Sequence, residues 1–491
     1  MQNYYQFIIP RLNGCEIKTN FKFYLSMVKK GIAGFIIFGG ELETTRKVIK
    51  KLQDEAELPL IIASDLEQGL GQQIKGGTLF PPAMAVASAI KNITGSGVRG
   101  QGSGIWSQKT KTGDEKSELL ENTYKAMAEE AGYAGINTIF APVLDINTNP
   151  GNPIISVRAF GEDKKTVSFF GCEMVRSIQG SSIAACGKHF PGHGDTRIDS
   201  HIKLPKINRD LRHLNRNELV PFKDAIKAGV KMIMLGHLSV PAIDPSGTPV
   251  SISEKAVRFI RDKMKYKGML ITDAMNMGGI GKYTEEKAAL MALKAGVDLI
   301  LHPTDTEKIV LYLKEKNLIL DSKYLDNFRK RLIRFPSEHP PDFDKNRNLS
   351  LELTGKAIKI SGDFVIDRPL YLIILNDDQD KKGKVFYENL KQGFPHLKLK
   401  IIRRNSGTQR ILFPENAFVI VAIFSETKAW KGGTSGWVQK KISYLQDRAD
   451  LFVSFGSPYL LDKIKKSAKI IAYWNSESVQ QAVAEVIIKK L

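Results

Sequence analysis

The densest group of reactive side chains in the sequence lies between residues 187 and 201. Lys188, His189, His193, Asp199 and His201 all fall there, so this stretch holds three of the chain's eight histidines. A short apolar run typical of a buried strand precedes this stretch. Glycines and a proline occur within the stretch itself. A loop of this kind can present acids, bases and hydrogen-bond donors to a ligand above a strand end. The stretch is therefore predicted to carry chemistry.

The spacing of histidines and cysteines bears on whether this stretch binds a metal ion. Apart from His189 and His193, which lie four residues apart, no pair of histidines or of cysteines has the close spacing that zinc sites use. A metal cluster and an ordinary solvated loop remain the alternatives, but the sequence favours a site that works through side chains alone. We therefore predict no metal and no organic cofactor.

Carboxylates elsewhere in the chain extend the set. Asp65, Asp145 and Asp273 each follow an apolar run of strand length, Arg158 follows a loop rich in asparagine and proline, and His237 follows another strand-like run. Neither a thiolate nor a phosphate-binding glycine loop accompanies them. Carboxylates and basic groups together are what a sugar site needs to bind hydroxyl groups in pairs. A glycosidase also needs an attacking carboxylate and a proton donor.

Roles can be assigned within this set. Asp273 suits the nucleophile because its short side chain stands at a rigid strand end, and His201 suits the acid/base because an imidazole titrates near neutrality. Asp199, two residues before His201, is placed to hold its ring and tautomer. The alternatives are a helix cap for Asp273, an ordinary loop histidine at 201, and a buried ion pair of Asp65 with Arg158. His237 is left undecided.

The elements that must position these residues form a regular series over the first 335 residues. An apolar run, a polar loop and a helical pattern recur, with strand candidates at 6–10, 34–38, 60–64, 138–142, 183–186, 232–235, 269–272 and 298–301. Eight such units predict a (β/α)8 barrel, in which function lies at the carboxyl ends of the strands. A doubly wound open sheet is the second possibility, but its glycine fingerprint does not follow the first strand.

The pattern changes at residues 335–341, which contain three prolines. We predict a catalytic barrel over 1–335, a linker over 336–350 and a smaller α/β sandwich domain over 351–491. Within the barrel, residues 92–113 are rich in Gly, Ser, Thr and Lys. They are expected to form a surface loop, either near the rim of the site or as a passive insertion.

Composition limits the class of protein. The chain of 491 residues is 42% hydrophobic and 25% charged, which is typical of a soluble globular protein with two domains. Its three scattered cysteines argue against a disulfide framework and fit a reducing compartment. The first residues do not resemble a signal peptide, and no apolar run is long enough to span a bilayer. A cytoplasmic location is therefore expected.

The net charge of +20 allows a nucleic-acid partner or an anionic substrate as well as a solvated basic surface. The lysines are dispersed over the whole length, without a basic block or an aromatic-and-basic motif. A solvated surface is therefore favoured and no nucleic-acid partner is predicted. The oligomeric state is left open.

The chemical stretch resembles a known family. The segment Lys188-His189-Phe190-Pro191-Gly192-His193-Gly194-Asp195-Thr196, followed by Asp199-Ser200-His201, is similar to the hallmark loop of the β-N-acetylglucosaminidases of glycoside hydrolase family 3. Further stretches follow in the family's order at 80–84, 141–145, 152–161, 221–222 and 271–275. The C-terminal third resembles the family's sandwich domain in general pattern only.

This resemblance implies a role for each residue. Asp273 falls on the nucleophile of a retaining mechanism, and His201 with Asp199 falls on the acid/base pair of this branch. The positions that bind the hydroxyls of the N-acetylglucosamine ring correspond to Asp65, Arg158, Lys188 and His189. Two departures concern the leaving-group side: the family's Asp-Gln-Glu-Gly-Gly after the third strand is replaced here by Asp-Leu-Glu-Gln-Gly, and the insertion at 92–113 is unusual.

The expected function is exo-hydrolysis of terminal β-linked N-acetylglucosamine, with peptidoglycan muropeptide fragments as the carbohydrate partner. A second possibility is a phosphorylase that passes the glycosyl group to phosphate, since a neutral histidine leaves room for an anionic acceptor. A β-glycosidase of other sugar specificity is a third possibility, and a catalytically silent sugar-binding protein is a fourth.

Overall fold

The computed structural model describes residues 2–92, 111–332, 334–377, 382–404, 413–414, 416–427, 431 and 433–490, without the side chains of 111–116. Most of the predicted insertion at 92–113 lies outside these residues. The chain forms two compact units. The first comprises Met1–Phe80, Gly113–Asn149 and Ala159–Ser350, and the second comprises Pro81–Thr112, Pro150–Arg158 and Leu351–Leu491.

In the described part of the first unit, nine strands form one parallel sheet. They are β1 (Ile8–Ile9), β2 (Arg11–Asn13), β3 (Gly34–Phe38), β4 (Ile61–Ser64), β5 (Thr138–Ile139), β6 (Ala184–Phe190), β7 (Met232–Leu235), β8 (Met269–Ala274) and β9 (Leu299–Leu301). Each of β3 to β8 pairs with the next strand, β1 pairs with β9, and β2 pairs with β3. Because β1 and β2 are the two halves of one strand interrupted at Pro10, the sheet closes on itself. The predicted barrel is confirmed.

Two predicted strands were too short at their carboxyl ends. Strand β6 continues through Lys188 and His189 to Phe190, although these residues were expected in the loop, and β8 includes Asp273. Both strands are buried on both faces, as in other parallel sheets, which normally favours apolar runs. The sequence interpretation ended each strand before its first charged residue. In the structure these charged groups lie in the sheet because neighbouring side chains compensate them.

Helices follow the strands of this unit. They are α1 (Phe21–Lys29), α2 (Leu42–Asp54), α4 (Lys111–Ala134), α5 (Lys164–Gly180), α6 (Leu211–Arg216), α7 (Leu219–Lys227), α8 (Glu254–Arg258), α9 (Glu285–Ala295), α10 (Thr306–Glu315) and α11 (Lys323–Lys330). Several begin at a side-chain cap. Asp163 accepts a hydrogen bond from the Thr166 N–H at the start of α5, and Thr284 caps α9, which ends at the left-handed Gly296.

Helix α12 (Phe343–Ala357) begins inside the segment expected to be a linker. Its first half belongs to the first unit, where Asn346 donates a hydrogen bond to the Glu130 carboxylate at 2.9 Å and Ser350 donates one to the Leu79 carbonyl at 2.7 Å. The first unit therefore extends to Ser350. Among the described helices, none combines the length and the apolar character that crossing a bilayer would take.

The described strands of the second unit form a mostly parallel sheet. They are β10 (Lys359–Ser361), β11 (Leu370–Asn376), β12 (Lys398–Arg403), β13 (Phe418–Ser425), β14 (Leu451–Gly456) and β15 (Ala468–Ile471), in the order β10-β15-β14-β13-β11-β12 with only β10 antiparallel. Helices α3 (Ala83–Asn92), α13 (Lys384–Gly393), α14 (Gly436–Leu445) and α15 (Glu477–Ile488) belong to the same unit. The predicted α/β layered architecture of the C-terminal third is confirmed.

Candidate active site

The carboxyl ends of the barrel strands gather the residues singled out in the sequence. Because the sheet is parallel and closed, the ends of β4, β6 and β8 lie on the same edge of the barrel. Asp65 follows β4, Lys188 and His189 lie near the end of β6, and Asp273 lies near the end of β8. The residue predicted as nucleophile and three of those predicted to bind the sugar therefore share one edge.

Lys188 is the most deeply buried cation of this edge, with a side chain only 2% exposed. Its Nζ lies 2.6 Å from Asp65 Oδ1 and 2.7 Å from Glu67 Oε1. A buried ammonium is tolerated only where such partners compensate its lost hydration. Asp65 therefore pairs with Lys188, the two predicted residues are brought together, and Glu67 joins them. Glu67 was missed, although its place two residues after Asp65 was a usable signal.

His189 is held by Asp145, a carboxylate that is fully buried. The His189 Nδ1 lies 2.8 Å from Asp145 Oδ2, and the backbone N–H groups of His189 and His193 donate to Asp145 Oδ1 at 3.2 and 2.6 Å. Burial acts to raise the pKa of Asp145, but His189 and His193 act against it and the net shift is downward. An ionised Asp145 thus orients the His189 ring with its Nε2 on the opposite side from the carboxylate.

His201 and Asp199 form the expected pair. The His201 Nδ1 lies 2.8 Å from Asp199 Oδ1, and the same oxygen accepts the His201 backbone N–H at 2.9 Å. The Asp199 carboxylate is buried, while 22% of the His201 side chain is exposed. A buried carboxylate on Nδ1 fixes the tautomer and leaves Nε2 on the far side of the ring, which is the arrangement of a general acid/base with its orienting partner.

Asp273 is nearly buried, with 8% of the residue exposed, and its Oδ1 accepts the Ala274 N–H at 2.8 Å. Burial acts to raise its pKa, but the imidazoles of His189 and His201 and the hydrogen bond from the Ala274 N–H act against it, and the net pKa lies below the ordinary value. Asp273 is therefore ionised at neutral pH, as a nucleophile must be. No described helix begins directly after it, so the helix-cap alternative does not apply.

His237 supports the strand that carries Asp273. Its Nε2 donates to the Ala274 carbonyl at 2.9 Å, and its Nδ1 accepts from the Ser251 hydroxyl at 2.6 Å. Burial lowers the pKa of His237, so the ring is neutral. The residue left undecided in the sequence thus fixes the backbone next to the carboxylate.

His193 ties together the loop that ends at His201. Its Nε2 lies 2.9 Å from Ser200 Oγ and its Nδ1 lies 2.7 Å from Thr196 Oγ1. Burial lowers the pKa of His193 to about 4, so this ring is neutral as well. The imidazole therefore acts as a neutral bridge between two hydroxyl groups of one loop.

Two glycines after β8, Gly278 and Gly279, pack closely against the chain around His201. The Gly278 N–H donates to the His201 carbonyl at 3.0 Å. A Cβ at Gly278 would overlap the Ile202 carbonyl oxygen, and one at Gly279 would lie 2.6 Å from His237 Cβ. Only glycine allows this close approach, which links the His201 loop to the strand of Asp273.

Arg158 is the one predicted residue outside the barrel unit. It ends a short 3₁₀ helix, Ser156–Arg158, in the second unit, and its Nη1 donates to the Ile154 carbonyl at 3.1 Å. Its role at the sugar stays a prediction. Among the residues that the structure describes, no group of three or more His, Cys, Asp or Glu side chains is arranged to hold a metal ion.

Comparison with known proteins decides the family. Residues 9–335 match the family described as the glycosyl hydrolase family 3 N-terminal domain. The chain belongs to glycosyl hydrolase family 3. The resemblance seen in its motifs is confirmed, since the match covers the whole barrel.

Two relatives of this family 3 chain differ in the share of their own length that the match covers. It is 32% identical over 295 residues to β-hexosaminidase A of Pseudoalteromonas piscicida, with 55% of this chain and 46% of that protein covered. It is 30% identical over 275 residues to a β-hexosaminidase of Idiomarina loihiensis, with 55% and 76% covered. The matched stretch thus spans about half the length of the first relative.

Solved structures of the family confirm the architecture. A family 3 β-N-acetylglucosaminidase from Paenibacillus has a TM-score of 0.77 and 24% identity, with 100% of this chain and 97% of that chain covered. NagZ from Neisseria gonorrhoeae has a TM-score of 0.58 and 24% identity, covering 71% of this chain and 97% of that one. At these identities the likeness shows a shared fold.

Proposed function

We propose that the protein is a retaining exo-β-N-acetylglucosaminidase that removes terminal β-linked N-acetylglucosamine from carbohydrate chains. The observation that carries the proposal is the His201–Asp199 pair in a family 3 barrel. The Gly278 N–H, which donates to the His201 carbonyl, connects this pair to the segment that follows the strand of the ionised Asp273. The names of the relatives, β-hexosaminidases and a β-N-acetylglucosaminidase, support the choice of sugar.

In the first step, an Asp273 oxygen attacks the anomeric carbon and forms a covalent glycosyl ester. The bond from that carbon to the leaving oxygen breaks, and His201 Nε2 gives its proton to the departing oxygen. In the second step His201 takes a proton from water, the resulting hydroxide attacks the anomeric carbon, and the Asp273 carboxylate is released. Two inversions at one carbon retain the β configuration.

Asp199 makes this proton transfer possible. Its carboxylate on Nδ1 fixes the orientation of the ring, so that Nε2 lies on the side opposite the carboxylate. Asp65, Lys188 and His189 line the neighbouring strand ends and are proposed to bind the ring hydroxyls, together with Arg158. Lys188 and its two carboxylates offer donors and acceptors held in fixed positions, which is suited to hydroxyl pairs.

The proposed natural substrate is a muropeptide fragment of peptidoglycan, processed in the cytoplasm without a metal or organic cofactor. A phosphorylase is the second candidate function. It is favoured by the use of an imidazole as acid/base, because a neutral base does not repel phosphate as a carboxylate would.

A panel of aryl β-glycosides tests the proposal. The N-acetylglucosaminide should be cleaved and the matched glucoside and xyloside should not, with the β anomer of the free sugar appearing first by NMR. Parallel reactions in phosphate buffer distinguish the candidates, since a phosphorylase would yield the sugar 1-phosphate. Release of the α anomer first would contradict the retaining mechanism.

A further inference from the structure

His302 occupies the end of the last barrel strand, a position outside the set of predicted site residues. It directly follows β9, whose Leu301 pairs with Ala274 of β8, and its backbone N–H donates to the Ile9 carbonyl at 2.7 Å. Strand β8 carries Asp273. His302 therefore lies on the same edge of the barrel as the site and on the strand next to the nucleophile.

The backbone at His302 is in the left-handed region, with φ of 46°. Residues with a side chain seldom adopt this conformation, which normally favours glycine or asparagine. Strained backbone conformations of this kind cluster at active sites and ligand-binding positions.

The imidazole also has an unusual environment. It is half-buried, and its ring centroid lies 5.8 Å from that of Phe38, over which the Arg11 guanidinium lies at 5.1 Å. Neither ring nitrogen has a hydrogen-bond partner among the residues that the structure describes. The His302 nitrogens are not among the buried side-chain atoms without a partner, so they keep access to solvent and can be reached by a ligand group.

The charge state of the His302 imidazole limits which kind of ligand group it can bind. Burial lowers the pKa of His302 to about 4, Arg11 acts in the same direction, and Asp65 opposes them. At neutral pH the ring is therefore uncharged, with one nitrogen a donor and the other an acceptor. This matches a hydroxyl group, which also donates and accepts, better than it matches an anion.

We infer that His302 binds a hydroxyl group of the terminal sugar, with Phe38 supporting the imidazole from behind. The inference rests on the proposed function. It adds a binding residue that follows the last barrel strand to the three proposed above, Asp65, Lys188 and His189. Asp65 follows β4 on the same edge of the barrel, and its charge opposes the lowering of the His302 pKa.

The backbone conformation supplies well-matched variants for the test. His302→Gly accommodates the positive φ while removing the imidazole, and His302→Asn tolerates the same φ while keeping a donor and an acceptor. His339, an exposed histidine, gives the control His339→Gly. Each variant is assayed for kcat/KM on the aryl N-acetylglucosaminide and on its 3-, 4- and 6-deoxy analogues, with thermal unfolding as the check of folding.

His302→Gly should lose roughly tenfold in kcat/KM on the parent sugar, in line with one neutral hydrogen bond, and His302→Asn should recover part of it. For one deoxy analogue the loss on substitution should vanish, because the partner hydroxyl is already missing. Equal losses on all analogues, or no loss in His302→Gly, would overturn the inference while leaving the proposed function intact. Inactivity of the unsubstituted protein on every N-acetylglucosaminide would refute both.

Discussion

The imidazole of His201 and the carboxylate of Asp199 are joined twice, once through the ring Nδ1 at 2.8 Å and once through the backbone N–H at 2.9 Å. One aspartate oxygen thus fixes both the ring and the main chain that carries it. Residues two apart in sequence meet in this way because the chain turns at Asp199, whose carbonyl accepts the N–H groups of Ile202 and Lys203 at 3.0 and 3.1 Å. The proposed proton donor is consequently positioned by local structure within the loop.

If His201 is the acid/base, its removal should affect substrates unequally. His201→Ala should lose far more activity on glycosides with poor leaving groups than on activated aryl glycosides, because only the former need protonation in the first step. Asp199→Ala should show the same trend to a smaller degree. A series of aryl N-acetylglucosaminides measures this dependence.

Azide provides the second half of that experiment. It needs no general base, so it should partly restore turnover of activated substrates by His201→Ala and give the β-glycosyl azide. Equal losses across the series with no effect of azide would mean that His201 has only a structural role.

Asp273→Ala should lower kcat by about 10⁴-fold or more, because the covalent step disappears. The carboxylate accepts a hydrogen bond from the N–H of the adjacent Ala274, which links no distant parts of the chain, so we expect the variant to unfold at nearly the same temperature as the unsubstituted protein. Asp54→Ala, which removes an exposed carboxylate from α2, is the control and should keep full activity. Near-normal turnover by Asp273→Ala would be incompatible with the proposed mechanism.

His193 should make stability depend on pH. Its folded pKa of about 4 lies below the ordinary 6.5, so the unfolded chain binds more protons between these values. The stabilisation from the neutral ring is complete above pH 6.5 and is lost as the pH falls toward 4, at up to about 1.4 kcal/mol per pH unit.

Replacement of His193 by asparagine should remove this contribution to the pH dependence. Urea unfolding at pH 7, 6, 5 and 4 should show a shallower fall for His193→Asn than for the unsubstituted protein. The exposed His339→Asn serves as control and should follow the unsubstituted curve. Parallel curves for all three proteins would show that His193 is not held neutral.

Gly278→Ala should damage proton transfer without touching either catalytic group. The added Cβ would overlap the Ile202 carbonyl oxygen, so the His201 loop must move away from β8. The expected pattern is that of His201→Ala in milder form, with larger losses on poor leaving groups. Gly180→Ala, where a Cβ meets nothing within 4 Å, should leave activity unchanged. Full activity of Gly278→Ala on all substrates would show that the loop does not depend on this contact.

The sequence was sufficient for the barrel and for most of the site because both depend on local patterns. Apolar runs of strand length and the residues that follow them predicted which edge of the sheet carries Asp65, His201 and Asp273. What it did not predict depends on contacts between distant residues. Glu67 and Asp145 act through Lys188 and His189, which lie more than 40 positions away in sequence, and no local pattern expresses such a partnership.

The predicted carboxyl ends of β6 and β8 were wrong for the same reason. A lysine in the middle of β6 looks like the start of a loop until the two carboxylates that neutralise it are known. His302 escaped notice because nothing in its immediate sequence marks the positive φ or the contact with Phe38. The surroundings of His302 come from strands that are far apart in sequence, namely β3 and β9.

The interruption of the first strand at Pro10 has a consequence for how the molecule is assembled. Ile8 pairs with Ile300, while Arg11 pairs with Ile36, so one hexapeptide forms the seam between the first and the last strands of the barrel. On a ribosome β2 can join its neighbour almost at once, but β1 keeps an open edge until β9 has emerged. Such late, distant pairing slows folding and exposes strand edges. In a circular permutant opened between two later strands, β9 would emerge before β1, so the late closure would move from the seam at Pro10 to the opened pair of strands.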